Sequence, residues 1–218
     1  MPRRKQAKFA ENAMRHNVIQ SGKPIYDQIK GNWHSDYFKN DHDIVLELAC
    51  GRGEYTVGLA EVYPDRNFIG IDVKGDRIWK GSGDALEKGL DNVAFLRTSI
   101  LELGDFFAEN EVAEIWIVHP DPKPRKGDGK RRLTHPRFLN IYKNIIKPDG
   151  IVRLKTDNTP FFDYTLEVLE TAAIKELEST FDLYNSPLLA EHHGIKTRFE
   201  LKFTEEGYDI KYLKFKFI

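Results

Sequence analysis

The sequence predicts an α/β domain: a seven-stranded, mostly parallel sheet ending in an antiparallel C-terminal strand, with helices on both faces. Three observations predict it. Short apolar runs alternate with segments whose apolar residues recur at helical spacing, the pattern of strands covered on both faces by crossover helices. The first strong apolar run passes directly into a Gly-x-Gly turn that opens a helix. The C-terminal end breaks the alternation, with strand-like runs and no helix between them.

Residues 1–40 show poor periodicity. They predict an N-terminal basic arm with short helical pieces, ahead of a single domain over 41–218. The arm holds Arg3, Arg4, Lys5, Lys8, Arg15, Lys23 and Lys30 against Glu11 and Asp27. From Asp43 onward the runs Ile44–Leu48, Phe68–Ile71, Val93–Leu96, Ile115–Val118 and Ile151–Thr156 predict strands. Between them Tyr55, Leu59 and Val62 fall on one helical face. So do Phe138, Ile141, Tyr142 and Ile145, and again Phe162, Leu166, Leu169 and Ala173. Pro136 suits a first helical turn, and Pro148-Asp149-Gly150 stops that helix. Phe181–Tyr184, Phe199–Phe203 and Tyr208–Phe217 then predict strands. The last keeps period two, with Ile210, Tyr212, Phe215 and Phe217 among lysines.

Bulk properties exclude several classes. A chain of 218 residues is enough for one generous domain and too short for two large ones. Hydrophobic residues make up 40% and charged residues 31%, an ordinary soluble composition. No apolar stretch approaches the roughly 18–20 residues of a membrane span. The basic start Met1-Pro2-Arg3-Arg4-Lys5 is not followed by the apolar region of a secretory signal. Cys50 is the only cysteine, so no internal disulfide forms. A cytoplasmic location is expected. The net charge of −1 argues against a uniformly basic nucleic-acid binder. Positive charge is instead local: residues 123–137 hold Lys123, Arg125, Lys126, Lys130, Arg131, Arg132 and Arg137 against Asp128 alone. A polyanion would be met at one face.

The turn Leu46-Glu47-Leu48-Ala49-Cys50-Gly51-Arg52-Gly53 carries the first chemistry. Gly51 and Gly53 allow close approach of the backbone to a ligand, and the following helix offers free N–H groups. Such a turn serves a dinucleotide or an S-adenosyl-L-methionine site. The dinucleotide fingerprint expects a third glycine at position 56, where this chain has Thr56. Glu47 sits where a carboxylate holds a charged methionine portion, directly or through water. Phe68-Ile69-Gly70-Ile71-Asp72 ends the second strand in an acid, a common acceptor for ribose hydroxyls. The bland alternatives are a plain strand–helix turn and an exposed strand-end Asp. The third strand, running into Ser99, should pass near an adenine.

The most informative stretch follows strand four: Ile115-Trp116-Ile117-Val118-His119-Pro120-Asp121-Pro122-Lys123-Pro124-Arg125-Lys126. The strand delivers it to the carboxyl edge of the sheet, where open α/β folds bind ligands. Three prolines stiffen it. Asp121 is held between two of them and cations follow at once, an arrangement suited to a nucleotide substrate: cations for phosphate, the acid for a base.

Here the chain resembles a known family. The segment is similar to the Pro-Asp-Pro-(Trp)-x-Lys-Lys-Arg-His-x-Lys-Arg-Arg signature of bacterial tRNA (guanine-N7)-methyltransferases, continued by Lys130-Arg131-Arg132-Leu133-Thr134. Leu154-Lys155-Thr156-Asp157-Asn158 is similar to the family's Thr-Asp motif, and Thr197-Arg198-Phe199-Glu200 to its Thr-x-(Tyr/Phe)-Glu motif. The resemblance runs in order from residue 47 to residue 200. It implies a Rossmann-like fold that transfers a methyl group from S-adenosyl-L-methionine to N7 of a guanine in the variable loop of tRNA. It assigns Glu47, Gly51, Gly53, Asp72, Ser99 and Asp121 to the cofactor, Asp121 also to catalysis, and Arg125, Asp157, Thr197, Arg198 and Glu200 to the substrate. The partner is tRNA, with no membrane and no metal, and the chain a monomer or homodimer. Three positions depart from the pattern: Ser99 stands where an acid is usual, Lys123 where a Trp is, and Arg125 where a Lys is.

Guanine N7 has an in-plane lone pair and no proton, so the reaction class needs positioning rather than a strong base. Competing classes are an NAD-dependent oxidoreductase, an RNA-binding module with a decayed cofactor site, and a methyltransferase for another RNA or a small molecule. Trp33, Trp79 and Trp116 read as packing residues, Cys50 as a packed thiol, and His192-His193 as a pair lacking further metal ligands. His119 reads either as a neighbour of the ligand or as plain structure.

Overall fold

The computed structural model describes residues 2–218; the side chains of Pro2, Arg3, Arg4 and Lys126 lie outside what is described. One sheet of eight strands organises the chain: β1 (Val18–Ile19), β2 (Ile44–Leu48), β3 (Asn67–Ile71), β4 (Val93–Leu96), β5 (Val112–Val118), β6 (Ile146–Thr156), β7 (Ile174–Thr180) and β8 (Lys211–Phe217). Their order is β1-β4-β3-β2-β5-β6-β8-β7. All pairings are parallel except those of β8, which runs antiparallel to both β6 and β7. The sheet has eight strands where seven were expected; the two-residue β1, paired with β4 through Val18↔Phe95 and Ile19↔Leu96, is outside the predicted runs.

Alternation along the strands feeds two cores, one on each face. Leu46, Leu48, Ile69, Ile71, Ile115 and Ile117 pack against Phe138 and Tyr142 of α5 (Pro136–Ile145) and Phe161 and Phe162 of α6 (Thr159–Glu170). Val45, Phe68, Phe95 and Trp116 pack against Tyr55 and Leu59 of α2 (Glu54–Val62) and Ile78 and Ala85 of α3 (Gly75–Glu87). Each fully buried side chain of this kind contributes roughly 1.5–3 kcal/mol. A short helix α4 (Leu103–Phe106) joins the first core. No helix among the described residues is long and apolar enough to cross a membrane.

The N-terminal segment contains a 13-residue helix, α1 (Pro2–Met14), laid along α3. Its inner contacts are polar and aromatic, which is why apolar periodicity does not reveal it. Asn12 Nδ2 donates to the Gly75 carbonyl at 2.7 Å and, just past the helix, Asn17 Nδ2 donates to the Ser82 carbonyl at 3.0 Å. Phe9 lies so close to Gly75 that a Cβ there would stand 2.6 Å from its ring.

Three predicted strands are corrected. Phe199–Phe203 lies inside α7 (Arg198–Glu205). Phe-Glu-Leu-Lys-Phe satisfies period two and an i,i+4 helical pair equally. Thr197 decides for the helix by capping it, its hydroxyl accepting from Glu200 N at 3.2 Å. Phe181–Tyr184 is not a strand; the strand is β7, just before it. That edge strand is mostly exposed and charged, so it carries no apolar signal. It is held by ion pairs to β8, Lys214–Glu178 at 3.1 Å and Lys216–Glu176 at 2.7 Å. The run from Tyr208 forms strand only over Lys211–Phe217.

Candidate active site

From β2 the chain builds outward through β3 and β4, then crosses to the other side for β5 and β6. The strand order therefore reverses between β2 and β5, where open α/β sheets bind ligands. A cavity of about 480 Å³ opens there, walled by Glu47, Gly51 and Asp72 on one side, His119, Asp121 and Asp157 on the other, and by Arg198 and Phe199 of α7 with its cap Thr197. The size suits a small-molecule cofactor.

Glu47 ends β2 with its side chain buried. Its Oε2 accepts from Thr56 N at 2.8 Å and from the Thr56 hydroxyl. Thr56, the residue that breaks the dinucleotide fingerprint, thus anchors the acid to the first turn of α2. Burial pushes the Glu47 carboxyl up to about 7; the Thr56 bonds oppose this, and the charges of Glu54 and Asp72 add to it. Asp72 ties the end of β3 to the turn: Oδ2 accepts from Gly51 N at 3.0 Å and Oδ1 from Lys74 N at 2.8 Å. Gly53 has φ of +67°, and a Cβ there would lie 2.5 Å from the Phe95 ring, so only glycine fits.

Across the cavity, two residues of the Pro-Asp-Pro loop adopt left-handed backbone, His119 at φ 44° and Lys123 at φ 48°. Each such non-glycine residue costs about 1–2 kcal/mol, and His119 bears it next to Pro120. Asp121 is 65% exposed at its side chain. Lys123 grips it, with Nζ 2.6 Å from Oδ2 and the backbone N 3.2 Å from Oδ1. The Lys123 hydrogen bond holds the Asp121 carboxyl below the usual carboxylate range. Arg132 fastens the loop from behind through the Lys123 carbonyl, at 3.3 Å from both Nε and Nη2.

Beneath the cavity floor lies a buried ionic cluster. Glu200 has no exposed side-chain surface. Its carboxylate meets Lys155 Nζ at 2.7 Å, His192 Nε2 at 2.7 Å and the Tyr184 hydroxyl at 2.8 Å. His119 stands between it and the cavity, Nε2 3.6 Å from Glu200 Oε2 and Nδ1 3.0 Å from Asp157 Oδ1. Burial alone would raise the Glu200 carboxyl, but the His119 ring close by, the hydrogen bond from His192 and the Lys155 charge outweigh it and hold it well below the usual range. Burial lowers Lys155.

The structure therefore brings Glu47, Gly51, Asp72, Asp121, Asp157, Thr197 and Arg198 to one cavity. Gly53 sits just behind, shaping the turn. Arg198 also pins α7 to α2, its backbone N–H donating to Glu54 Oε2 at 3.3 Å. Glu200 lies below the cavity rather than in its wall. Ser99 and Arg125 are not in the wall either. Ser99 caps a 3-10 turn by accepting from Leu101 N at 3.3 Å, and Arg125 is exposed ahead of the turn Lys126–Arg131. Sequence reasoning missed Thr56, Lys155, His192 and Tyr184. Lys155 did carry a signal, as a charge inside a buried run. Trp33 and Trp116 are buried, as expected of packing residues. Among the described residues no group of three or more His, Cys, Asp or Glu side chains is arranged to hold a metal ion.

A family described as putative methyltransferase matches residues 41–213. The chain is 50% identical over 220 residues to a tRNA (guanine-N(7)-)-methyltransferase of Cytophaga hutchinsonii, covering 100% of this chain and 99% of that one. It is 49% identical to the protein of that name from Christiangramia forsetii, covering 96% of each. Among solved structures, the 16S rRNA methyltransferase KamB superposes with a TM-score of 0.62 at 16% identity, covering 92% of this chain and 98% of that one. The aminoglycoside resistance methyltransferase NpmB1 superposes with a TM-score of 0.59 at 15% identity, covering 88% and 95%. At these identities the structural likeness establishes the fold.

Proposed function

The chain belongs to the tRNA (guanine-N(7)-)-methyltransferase family, and from that premise we propose that it transfers the methyl group of S-adenosyl-L-methionine to N7 of a guanine in the variable loop of tRNA. One observation carries the reading: a single cavity joins a glycine turn flanked by two strand-end acids to a rigid Asp121 loop with cations directly behind it. The residues fit the cofactor. Gly51 and Gly53 leave a cradle that side chains would fill, and the Glu47 Oε1 has no protein donor among the described residues, leaving it free for a cationic methionine portion. Asp72, held by two backbone N–H groups, keeps lone pairs for ribose hydroxyls.

The bound cofactor supplies an activated methyl group on a sulfonium. The chain supplies placement. Asp121, with Asp157 on the same wall, accepts from the N1–H and exocyclic amine of guanine and offsets the positive charge the ring gains. Thr197 and Arg198 close the substrate side. Arg125, Lys130, Arg131 and Arg132 meet RNA phosphate outside the cavity, holding a base that leaves its stack at a cost of a few kcal/mol. Glu200 acts from below, holding His119 and Lys155 in place. A tRNA substrate sets the cytoplasm as the location, with the chain a monomer or homodimer. The test is incubation with unmodified tRNA and methyl-labelled S-adenosyl-L-methionine, followed by nucleoside mapping. Label in N7-methylguanosine is expected; label at any other atom overturns the reading.

A further inference from the structure

We propose that His119 is a positioning residue that works as an imidazolium: it bridges Asp157 in the cavity wall to Glu200 buried behind it, and so fixes the Asp157 carboxylate in the orientation that receives the guanine. This rests on the reading of Asp157 as a guanine-binding residue. The geometry is specific. The ring is almost wholly buried, with a carboxylate opposite each nitrogen: Asp157 Oδ1 at 3.0 Å from Nδ1 and Glu200 Oε2 at 3.6 Å from Nε2. Only the protonated ring presents N–H to both sides. A neutral ring would turn a lone pair toward one of them.

The surroundings favour the proton. Asp157 faces the ring from the end of β6 and Glu200 from α7, where Phe203 also covers it, its ring centroid 6.1 Å away. Lys155 of β6 pairs at 2.7 Å with the same Glu200 oxygen that faces His119, Lys211 of β8 donates to the Asp157 carbonyl at 3.1 Å, and His192 binds Glu200 Oε1 from the 3-10 helix Pro187–His192. Asp121 is two residues along its own loop. With Lys155 paired to Glu200 and the Lys211 ammonium held by the Asp157 and Asp209 carbonyls, the imidazolium is placed between the two carboxylates and balances the pair. Burial is the largest influence on the ring and lowers its affinity for the proton, but the hydrogen bond to Asp157 and the Glu200 carboxylate beside Nε2 prevail and raise the midpoint above the usual 6.5.

The backbone serves the same end. His119 N donates to the Lys155 carbonyl at 2.8 Å, extending the β5–β6 ladder by one bond and aiming the side chain across β6. With Oδ1 of Asp157 held by Nδ1, the carboxylate cannot rotate freely, and its remaining lone pairs point at a fixed place. Orientation of this kind is read in substrate affinity and is sensitive to displacements of an ångström.

The test has two arms. In the first, nitrogen-15 histidine spectra of the free protein follow the His119 ring between about pH 5 and 9. Both ring nitrogens protonated at pH 7 are expected, with the midpoint falling in Asp157→Asn. A ring that is neutral at pH 7 overturns the proposal. In the second, methylation of unmodified tRNA is followed across the same range. The wild-type KM for tRNA should rise as His119 loses its proton, while the affinity for S-adenosyl-L-methionine, read by calorimetry, stays level. His119→Asn keeps an N–H toward Asp157 and cannot titrate, so its KM should be flat with pH. His119→Phe fills the space without an N–H and should raise the KM about tenfold at every pH. Wild-type KM and pH profile in His119→Phe overturn the proposal. A wild-type protein that methylates no tRNA guanine overturns the functional reading instead, and the spectra still decide the bridge.

Discussion

Glu47 at the end of β2 takes both the backbone and the hydroxyl hydrogen of Thr56, in the first turn of α2, on a single oxygen. The strand-end acid is therefore part of the helix cap as well as of the cavity wall. Thr56→Val keeps the shape and removes the hydroxyl donor. Leaving a buried carboxyl short of a partner costs about 1–3 kcal/mol. A corresponding loss in urea unfolding is expected, together with weaker binding of S-adenosyl-L-methionine in calorimetry.

The buried carboxyl also sets a pH dependence. Its folded value of about 7 stands above the 4.5 of an exposed glutamate. The native state thus holds a proton that the unfolded chain releases, and stability falls as pH rises from about 4.5 through 7. The full effect of that gap is about 3 kcal/mol. Glu47→Gln keeps an acceptor for Thr56 and cannot ionise. It should unfold at higher urea than wild type at pH 8, match it near pH 4, and bind S-adenosyl-L-methionine at least about tenfold less tightly.

Asp121 is held outside the core by Lys123 and faces the cavity with an ionised carboxylate. Asp121→Asn retains the size and loses the charge. Turnover should fall about a hundredfold with little change in the dissociation constant of S-adenosyl-L-methionine. Near-normal turnover would remove Asp121 from the mechanism.

Lys130 and Arg131 lie on the exposed turn behind Asp121. If each neutralises one phosphate, the double variant Lys130→Ala, Arg131→Ala should flatten the dependence of log affinity on log salt by about two units of slope. Filter-binding titrations of tRNA over a range of potassium chloride concentrations measure this. An unchanged slope would place the RNA contact elsewhere.

The sheet was legible where burial imposes a simple code. Val93–Leu96 is apolar throughout, Ile44–Leu48 is apolar but for Glu47, and both fall at the predicted bounds. The C-terminal region was legible only in its last strand, the antiparallel β8. Phe199 and Phe203 obey two periods at once, and only the Thr197 cap separates them. β7 reads as polar because it is an edge. In the site, residues close in sequence to a glycine turn or a proline cage were readable, since local rules place them. The ionic cluster was not. His119, Lys155, His192 and Glu200 come from four separate segments, and the Val118↔Lys155 register that brings the first two together exists only once β5 and β6 have paired.

α7 closes the cavity, and β8, which stands between β6 and β7, is the last strand in the chain. Order of synthesis therefore matters. A nascent chain that has already made the glycine turn, Asp72 and Asp121 still lacks Thr197, Arg198 and the strand that secures β6. Its acids and its basic loop are present long before they share an enclosed space. The earlier-made half of the site waits for α7 and β8, so an enclosed cavity exists only after those two elements are made.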